Sequence, residues 1–320
     1  MSVDLLPEWP LFGYADDVRP ALAKAMRDGD PAALVTLYAV EGAGPRPPGT
    51  QMLFAGGKVC GFLSGGCVEG DIAGHAAATL ADGAPRHLVY GEGGPWPDIR
   101  LLCGARIEIL VERVLPQDAA AMALIERMDA RRPALWRTDG FTRTCQDGAG
   151  PRCAVSRDPF QLVLRHDPAP RLVVVGGDPT ALAIAQLGAQ GGMETTLVRP
   201  KGPAAPPPLP SVAYRRDPAA EALAALNLDP WTAVAVATHD LDTDHEALIA
   251  SVTSRAGYIG LLGARRRLPE RLGRLRAAAV SDEALSRLHA PIGLPTGGKA
   301  PWEVAVAVIG EVMAERRKLG

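Results

Sequence analysis

The chain has 320 residues, 47% of them hydrophobic and 22% charged, with a formal net charge of -2. That length holds about two domains, each with its own core, and a nearly balanced charge argues against the basic surface that nucleic acid requires. No run approaches the roughly 18 apolar residues of a membrane helix, and the N-terminus lacks a basic segment followed by an apolar one, so a soluble cytoplasmic protein without a membrane partner is expected. Five cysteines, Cys60, Cys67, Cys103, Cys145 and Cys153, are odd in number and widely spaced. They predict reduced thiols, with neither a disulfide framework nor a paired CxxC zinc site.

In chain order, the spacing predicts a helix over 16–28 and a buried strand over 33–40. The Gly- and Pro-rich loop over 42–50 follows, and it can continue neither element, so it presents Arg46 from a stiff, exposed backbone. Strands over 51–54 and 58–63 flank Gly56-Gly57 as a tight hairpin. A helix with Ile72, Ala73, Ala76 and Leu80 at helical spacing comes next. Cys67, after Gly65 and Gly66, is expected in its first turn. Backbone N–H groups and the helix dipole favour an anion at such a place, which is how proteins make a cysteine nucleophilic or metal-seeking. Strands over 87–90 and 106–111, separated by a loop over 91–97, a helix over 117–128, and short strands over 134–164 complete this half.

At Pro168-Ala169-Pro170 the character changes. A doubly buried strand over 171–175, a Gly176-Gly177 turn, a helix over 180–190 and a strand over 195–198 open a βαβ unit. Further alternation follows, with strands over 212–214, 233–237 and 258–262 and helices over 219–226, 244–251, 266–278 and 302–316. The fold class predicted is α/β, a mixed N-terminal domain joined to a Rossmann-like, doubly wound parallel sheet. The dinucleotide fingerprint G-x-G-x-x-G is altered, because Asp178 holds the second glycine's place, Pro179 removes an N–H, and Arg199 stands where an acidic residue would hold a ribose. NAD(P) is therefore an unlikely ligand. An oxidoreductase using a nicotinamide in this domain is the alternative reading of the chain, and a pure scaffold is a third.

Several ordered motifs carry a resemblance. Gly44-Pro45-Arg46-Pro47-Pro48-Gly49, Gly65-Gly66-Cys67-Val68-Glu69, Cys103-Gly104-Ala105-Arg106-Ile107-Glu108, Thr238-His239, the run from Tyr258 to Arg266, and the run from His289 to Leu294 together resemble the XdhC/CoxI family. Those proteins are accessory factors of xanthine dehydrogenase and related molybdenum hydroxylases. The resemblance covers nearly the whole chain apart from the middle, around 131–170. It implies a chaperone, not itself a turnover enzyme, that carries molybdenum cofactor (molybdopterin) as cargo, works with a cysteine desulfurase, serves an apo xanthine dehydrogenase or related hydroxylase, and forms a homodimer. It also implies an XdhC/CoxI-type domain over 1–115, a connecting α/β segment over 116–168 packed on it, and a Rossmann-like domain over 169–320.

On this reading Cys67 is the metal-contacting ligand, since molybdenum is thiophilic, and Gly65 and Gly66 give the cofactor room. Cys103 is read two ways, as a second ligand or as core packing, because Ala105 replaces a glycine usual in the family. Arg46 would clamp an anion with its fork. Glu69 either complements the helix N-terminus or joins the chemistry. His239, Arg265 and His289 are expected around the carboxyl edge of the second sheet, holding the pterin phosphate or closing a cleft. Asp242 or Asp244 is expected to cap a helix, and Cys60, Cys145 and Cys153 to be structural.

Overall fold

A computed structural model describes residues 6–92, 94, 101 and 103–319. Most of the loop over 91–97 predicted above lies outside the described residues. The chain divides into two compact units, Met1–Pro168 and Ala169–Gly320.

The first unit runs α1 (Arg19–Asp28), β1 (Ala32–Glu41), β2 (Gln51–Ala55), β3 (Lys58–Gly61), α2 (Glu69–Asp82), β4 (Arg86–Tyr90) and β5 (Arg106–Val114), then α3 (Ala119–Asp129), β6 (Ala134–Thr138), β7 (Arg143–Asp147), β8 (Cys153–Arg157) and β9 (Phe160–His166). Strands β3-β2-β1-β5-β4 form one antiparallel sheet and β7-β6-β9-β8 a second. Period-two alternation explains the layering. Ile107, Ile109 and Val111 of β5 pack with Ile72, Ala73 and Ala76 of α2, while Leu110 turns the other way to meet Leu22 of α1, Leu124 of α3 and Trp136, Leu162 and Leu164 of the second sheet. Both faces of the first sheet are covered. Two carboxylates on the Leu110 side of β5 are consequently buried and ion-paired, as burial requires: Glu108 with Arg106 and Arg157, and Glu112 with Arg143 at 3.0 Å.

Because every pairing in the first sheet is antiparallel, β1, β3 and β4 end at the edge where β2 and β5 begin. The segments 42–50 and 62–68, and the described residues just after Tyr90 and just before Arg106, therefore all lie at one end of the sheet. These segments carry Arg46, Cys67 and Cys103.

The second unit contains β10 (Arg171–Gly176), α4 (Pro179–Gln190), β11 (Glu194–Val198), β12 (Val212–Arg215), α5 (Ala219–Ala225), β13 (Thr232–Ala237), α6 (Leu241–Val252), β14 (Tyr258–Leu261), α7 (Leu268–Ala277), α8 (Asp282–Ser286), β15 (Leu288–His289) and α9 (Pro301–Arg316). Its strands are all parallel, in the order β12-β11-β10-β13-β14-β15, a doubly wound arrangement whose direction reverses between β10 and β13. Val174 and Ala235 face α4 and α9, and Val173, Val175, Val234 and Val236 face α5, α6 and α7. Burial on both faces is why these strands are continuous apolar runs. Helix α8 and strand β15 are too short for the sequence pattern to predict.

Candidate functional site

Cys67 is exposed, and it does not lie in the first helical turn as expected. Helix α2 starts at Glu69, its N-cap is Val68 with φ -124°, and Cys67 precedes that cap. The displacement comes from the two glycines before it, Gly65 at φ +108° and Gly66 at φ +97°. Such left-handed backbone is accessible to glycine and strained for other residues, and it rolls the chain into a turn that the helix cannot absorb. A Cβ at either glycine would meet nothing within 4 Å, so the glycines serve the backbone path and leave the space beside Cys67 open.

The turn is suspended from Glu69. This carboxylate is buried. Its Oε1 accepts the N–H groups of Leu63 at 3.1 Å and Ser64 at 2.6 Å, and its Oε2 accepts the Ser64 hydroxyl at 2.5 Å and the Gly66 N–H at 3.0 Å. The Ser64 hydroxyl oxygen in turn accepts the N–H of Cys67 at 3.1 Å and of Val68 at 3.2 Å. Glu69 is thus the keystone of the cysteine turn, a role larger than complementing a helix end. The turn's own N–H groups are largely consumed, which leaves the thiol as its outward-facing reactive group. Asp71, in the next position but one, accepts the Tyr90 hydroxyl at 2.6 Å and ties the start of α2 to the end of β4.

Cys103 is also exposed, in the turn closed by the Gly104 N–H donating to the Leu101 carbonyl at 2.9 Å. Ala105, next but one, is core, and space beside Gly104 is open. Arg106 fastens the segment by donating to the Glu92 carbonyl at 3.1 Å and pairing with Glu41 at 3.6 Å. Arg46 is half-buried and hydrogen-bonds Asp16, with its Nε buried and without a partner among the described residues. It is a braced arginine, less free than a solvated loop residue. The remaining cysteines are partly buried. Burial pushes the thiols of Cys60 and Cys145 up and that of Cys153 to about 11, and the Cys153 thiol lies 3.6 Å from the Tyr38 carbonyl.

In the second unit the sequence-derived residues do not gather at one place. His239 lies at the carboxyl edge, 82% exposed, with Nε2 3.0 Å from Asp178. Asp178 caps α4 by accepting the Ala181 N–H at 2.8 Å. A cleft of about 360 Å³ opens there, lined by the Gly176-Gly177-Asp178 turn, Arg199, Lys201 and the Thr238-His239-Asp240 segment. Arg265 is outside its lining, exposed in a short 3-10 turn after β14. His289 is elsewhere again. Its β15 register pairs it with Gly260, its ring meets that of Tyr258 at 4.5 Å, and its Nδ1 is 3.4 Å from Glu311, which also binds the Tyr258 hydroxyl and the Gly293 N–H. That network fastens β15 to α9. Lys299 is exposed.

The cap of α6 is Asp240, which accepts from the N–H groups of Asp242 and Thr243; it is neither Asp242 nor Asp244. Asp242 pairs with Arg274 at 2.7 Å. Asp244 is buried against Arg271 at 2.9 Å and Thr238. Among the described residues no group of three or more His, Cys, Asp or Glu side chains is placed to hold a metal ion, and no helix is long and apolar enough to cross a membrane.

Comparison with known proteins agrees with this division. Residues 25–91, which include the Cys67 turn, match the XdhC and CoxI family, and residues 172–312 match the XdhC Rossmann domain. Over 307 residues the chain is 31% identical to the molybdenum cofactor insertion chaperone PaoD of Escherichia coli (strain K12), spanning 94% of this chain and 89% of that protein. It is 24% identical over 335 residues to a probable xanthine dehydrogenase subunit of Bacillus subtilis (strain 168), spanning 92% and 96%. A crystal structure of a xanthine dehydrogenase from Bacillus halodurans shares the fold, with a TM-score of 0.74 at 22% identity over 94% of this chain and 96% of that one. With both units matched and a relative alike along nearly its full length, the chain belongs to the XdhC and CoxI family.

Proposed function

We propose that the protein binds molybdenum cofactor as cargo at the Cys67 turn, supports its sulfuration, and passes it to xanthine dehydrogenase or a related molybdenum hydroxylase in the cytoplasm. The observation that carries this reading is the turn itself: an exposed thiol beside open space, on a loop held rigid by a buried carboxylate. A thiolate is a soft ligand suited to molybdenum. The similarity to PaoD, a molybdenum cofactor insertion chaperone, supports the same role.

In this reading Cys67 holds the metal end, and Gly65 and Gly66 keep side chains out of its approach. Cys103, exposed at the same end of the sheet, is the second thiol available to the cargo. Arg46, braced by Asp16, neutralises anionic charge. Two protein partners complete the cycle, a cysteine desulfurase that supplies sulfur and the apo-hydroxylase that receives the cofactor, and the working form is a homodimer.

The test is to purify the protein from cells making molybdenum cofactor, measure bound molybdenum and pterin, and repeat with Cys67→Ser. The wild type is expected to carry both and the variant to lose most of them. A wild type that carries neither and binds NADH tightly overturns the chaperone in favour of an oxidoreductase. Equal loading of the two forms removes Cys67 from the site. Co-purification with the desulfurase and light scattering of the pure protein check the partner and the dimer.

A further inference from the structure

The cleft at the carboxyl edge of the second unit is built differently from a dinucleotide site, and its charges indicate what it takes. Two carboxylates and three basic side chains line it: Asp178, Asp240, Arg199, Lys201 and His239. The carboxylates are committed to the protein. Oδ1 of Asp178 accepts the Ala181 N–H and its Oδ2 faces His239 at 3.0 Å, while Oδ1 of Asp240 accepts the N–H groups of Asp242 and Thr243 at 3.0 and 2.8 Å. Each fills a helix N-terminus, where its charge is offset by the dipole.

Of the basic side chains, His239 faces Asp178 and Lys201 lies within the electrostatic reach of Asp240. Among the described residues neither the Arg199 guanidinium nor the Lys201 ammonium has a hydrogen-bonding or ion-pairing acceptor. Arg199 is nonetheless placed. Its backbone N–H donates to the Arg215 carbonyl at 2.9 Å, its carbonyl accepts from Gly202 at 3.0 Å, and its side chain lies across the glycine turn, so that a Cβ on Gly177 would come within 2.4 Å of its Cδ and Nε. Gly177 is therefore there to let the arginine cross, not to let a pyrophosphate approach. The pyrophosphate position at the start of α4 is taken by the Asp178 carboxylate, whose Oδ1 accepts the Ala181 N–H that a bridging diphosphate would use.

The geometry points to a nucleotide bearing a terminal phosphate monoester, its phosphate on Arg199 and Lys201 and its ribose toward the Asp240 end of the cleft. A monoester is compact and dianionic, and the guanidinium fork binds it in two places. A cleft of about 360 Å³ is in the range of small-ligand pockets. This site lies wholly within the second unit and does not depend on the Cys67 reading.

Titration calorimetry on the full chain tests it, using the four common nucleoside 5′-monophosphates and adenosine 2′,5′-bisphosphate, with adenosine, NAD+ and inorganic phosphate as controls. At least one phosphomonoester is expected to bind about tenfold or more tightly than each control. The double variant Arg199→Ala, Lys201→Ala is expected to lose that binding about tenfold or more while keeping the wild-type urea midpoint, and Cys67→Ser to bind as the wild type does. Absence of binding by every nucleotide, equal binding of NAD+ or adenosine, equal binding of phosphate alone, or an unaffected double variant would each overturn the assignment.

Discussion

Glu69 grips Ser64 twice, taking its N–H on one carboxylate oxygen at 2.6 Å and its hydroxyl on the other at 2.5 Å. Ser64 then relays the grip to Cys67, whose N–H it accepts at 3.1 Å. The reactive thiol is thus held by a residue that never touches it. Replacing Glu69 with Gln puts an N–H group where an N–H acceptor is required and leaves buried donors unpaired. A loss of about 2 to 3 kcal/mol is expected, with faster amide exchange at Leu63, Ser64 and Gly66 and unchanged exchange in the strands of the second unit. Molybdenum content of E69Q should fall toward that of Cys67→Ser; unchanged exchange in the turn would show that Glu69 is not its anchor.

Gly65 and Gly66 differ from Gly74 in backbone while sharing open space around them, and substitution should tell them apart. Gly65 and Gly66 have left-handed backbone and no neighbour to clash with, so Gly→Ala at either is expected to cost about 1 to 2 kcal/mol through backbone strain alone. Gly74 lies within α2 with equally open space and no left-handed φ. There Gly→Ala is expected to stabilise by about 0.5 to 1 kcal/mol. Urea midpoints of the three variants check both signs.

Much of this was legible in the sequence because burial on two faces writes a strand as an apolar run. Val173 to Val175 and Ala233 to Ala237 could be read directly, and the Gly65-Gly66-Cys67 turn announced itself through its glycines. What was missed depended on long-range partners. Asp242 or Asp244 is the expected cap of α6, but the cap is decided by where the helix starts, and nothing local shows that it starts one turn earlier, after Asp240. The placement of His289 could not be read either, because nothing local reveals that a two-residue strand will join the sheet and set it against Tyr258 and Glu311. Glu69 did leave a signal, a carboxylate opening a helix five residues after a serine, yet its burial under the turn is a tertiary fact.

The five thiols should react in two classes. Cys67 and Cys103 are exposed, whereas Cys60, Cys145 and Cys153 are partly buried with thiols pushed up by that burial. A thiol pushed to about 11, as Cys153 is, is ionised to only about a thousandth at pH 8, and the thiolate is the reactive form. Titration with a chromogenic disulfide at pH 8 is expected to show two fast equivalents, one of which disappears in Cys67→Ser and the other in Cys103→Ser. Three or more fast equivalents in the folded protein would contradict the burial of the others.

Acid should expose the Glu108 pair. Arg157 and Arg106 hold this buried carboxylate at about 2, below the ordinary glutamate range, against the opposing effect of burial. A carboxylate lowered in the folded state stabilises the protein above its unfolded pKa, and that contribution is lost as the pH falls through the folded value. The window is therefore about pH 5 down to pH 2, taking the unfolded group near 4.3. Glu108→Gln is expected to lower stability at pH 7 by about 2 kcal/mol, a figure reduced because Arg157 is 59% exposed and screened by solvent. Between pH 5 and pH 2 the variant should lose less stability than the wild type, so that the two denaturation curves converge at the acid end. Curves that stay parallel across that range would mean that Glu108 is ionised no more readily in the folded chain than in the unfolded one.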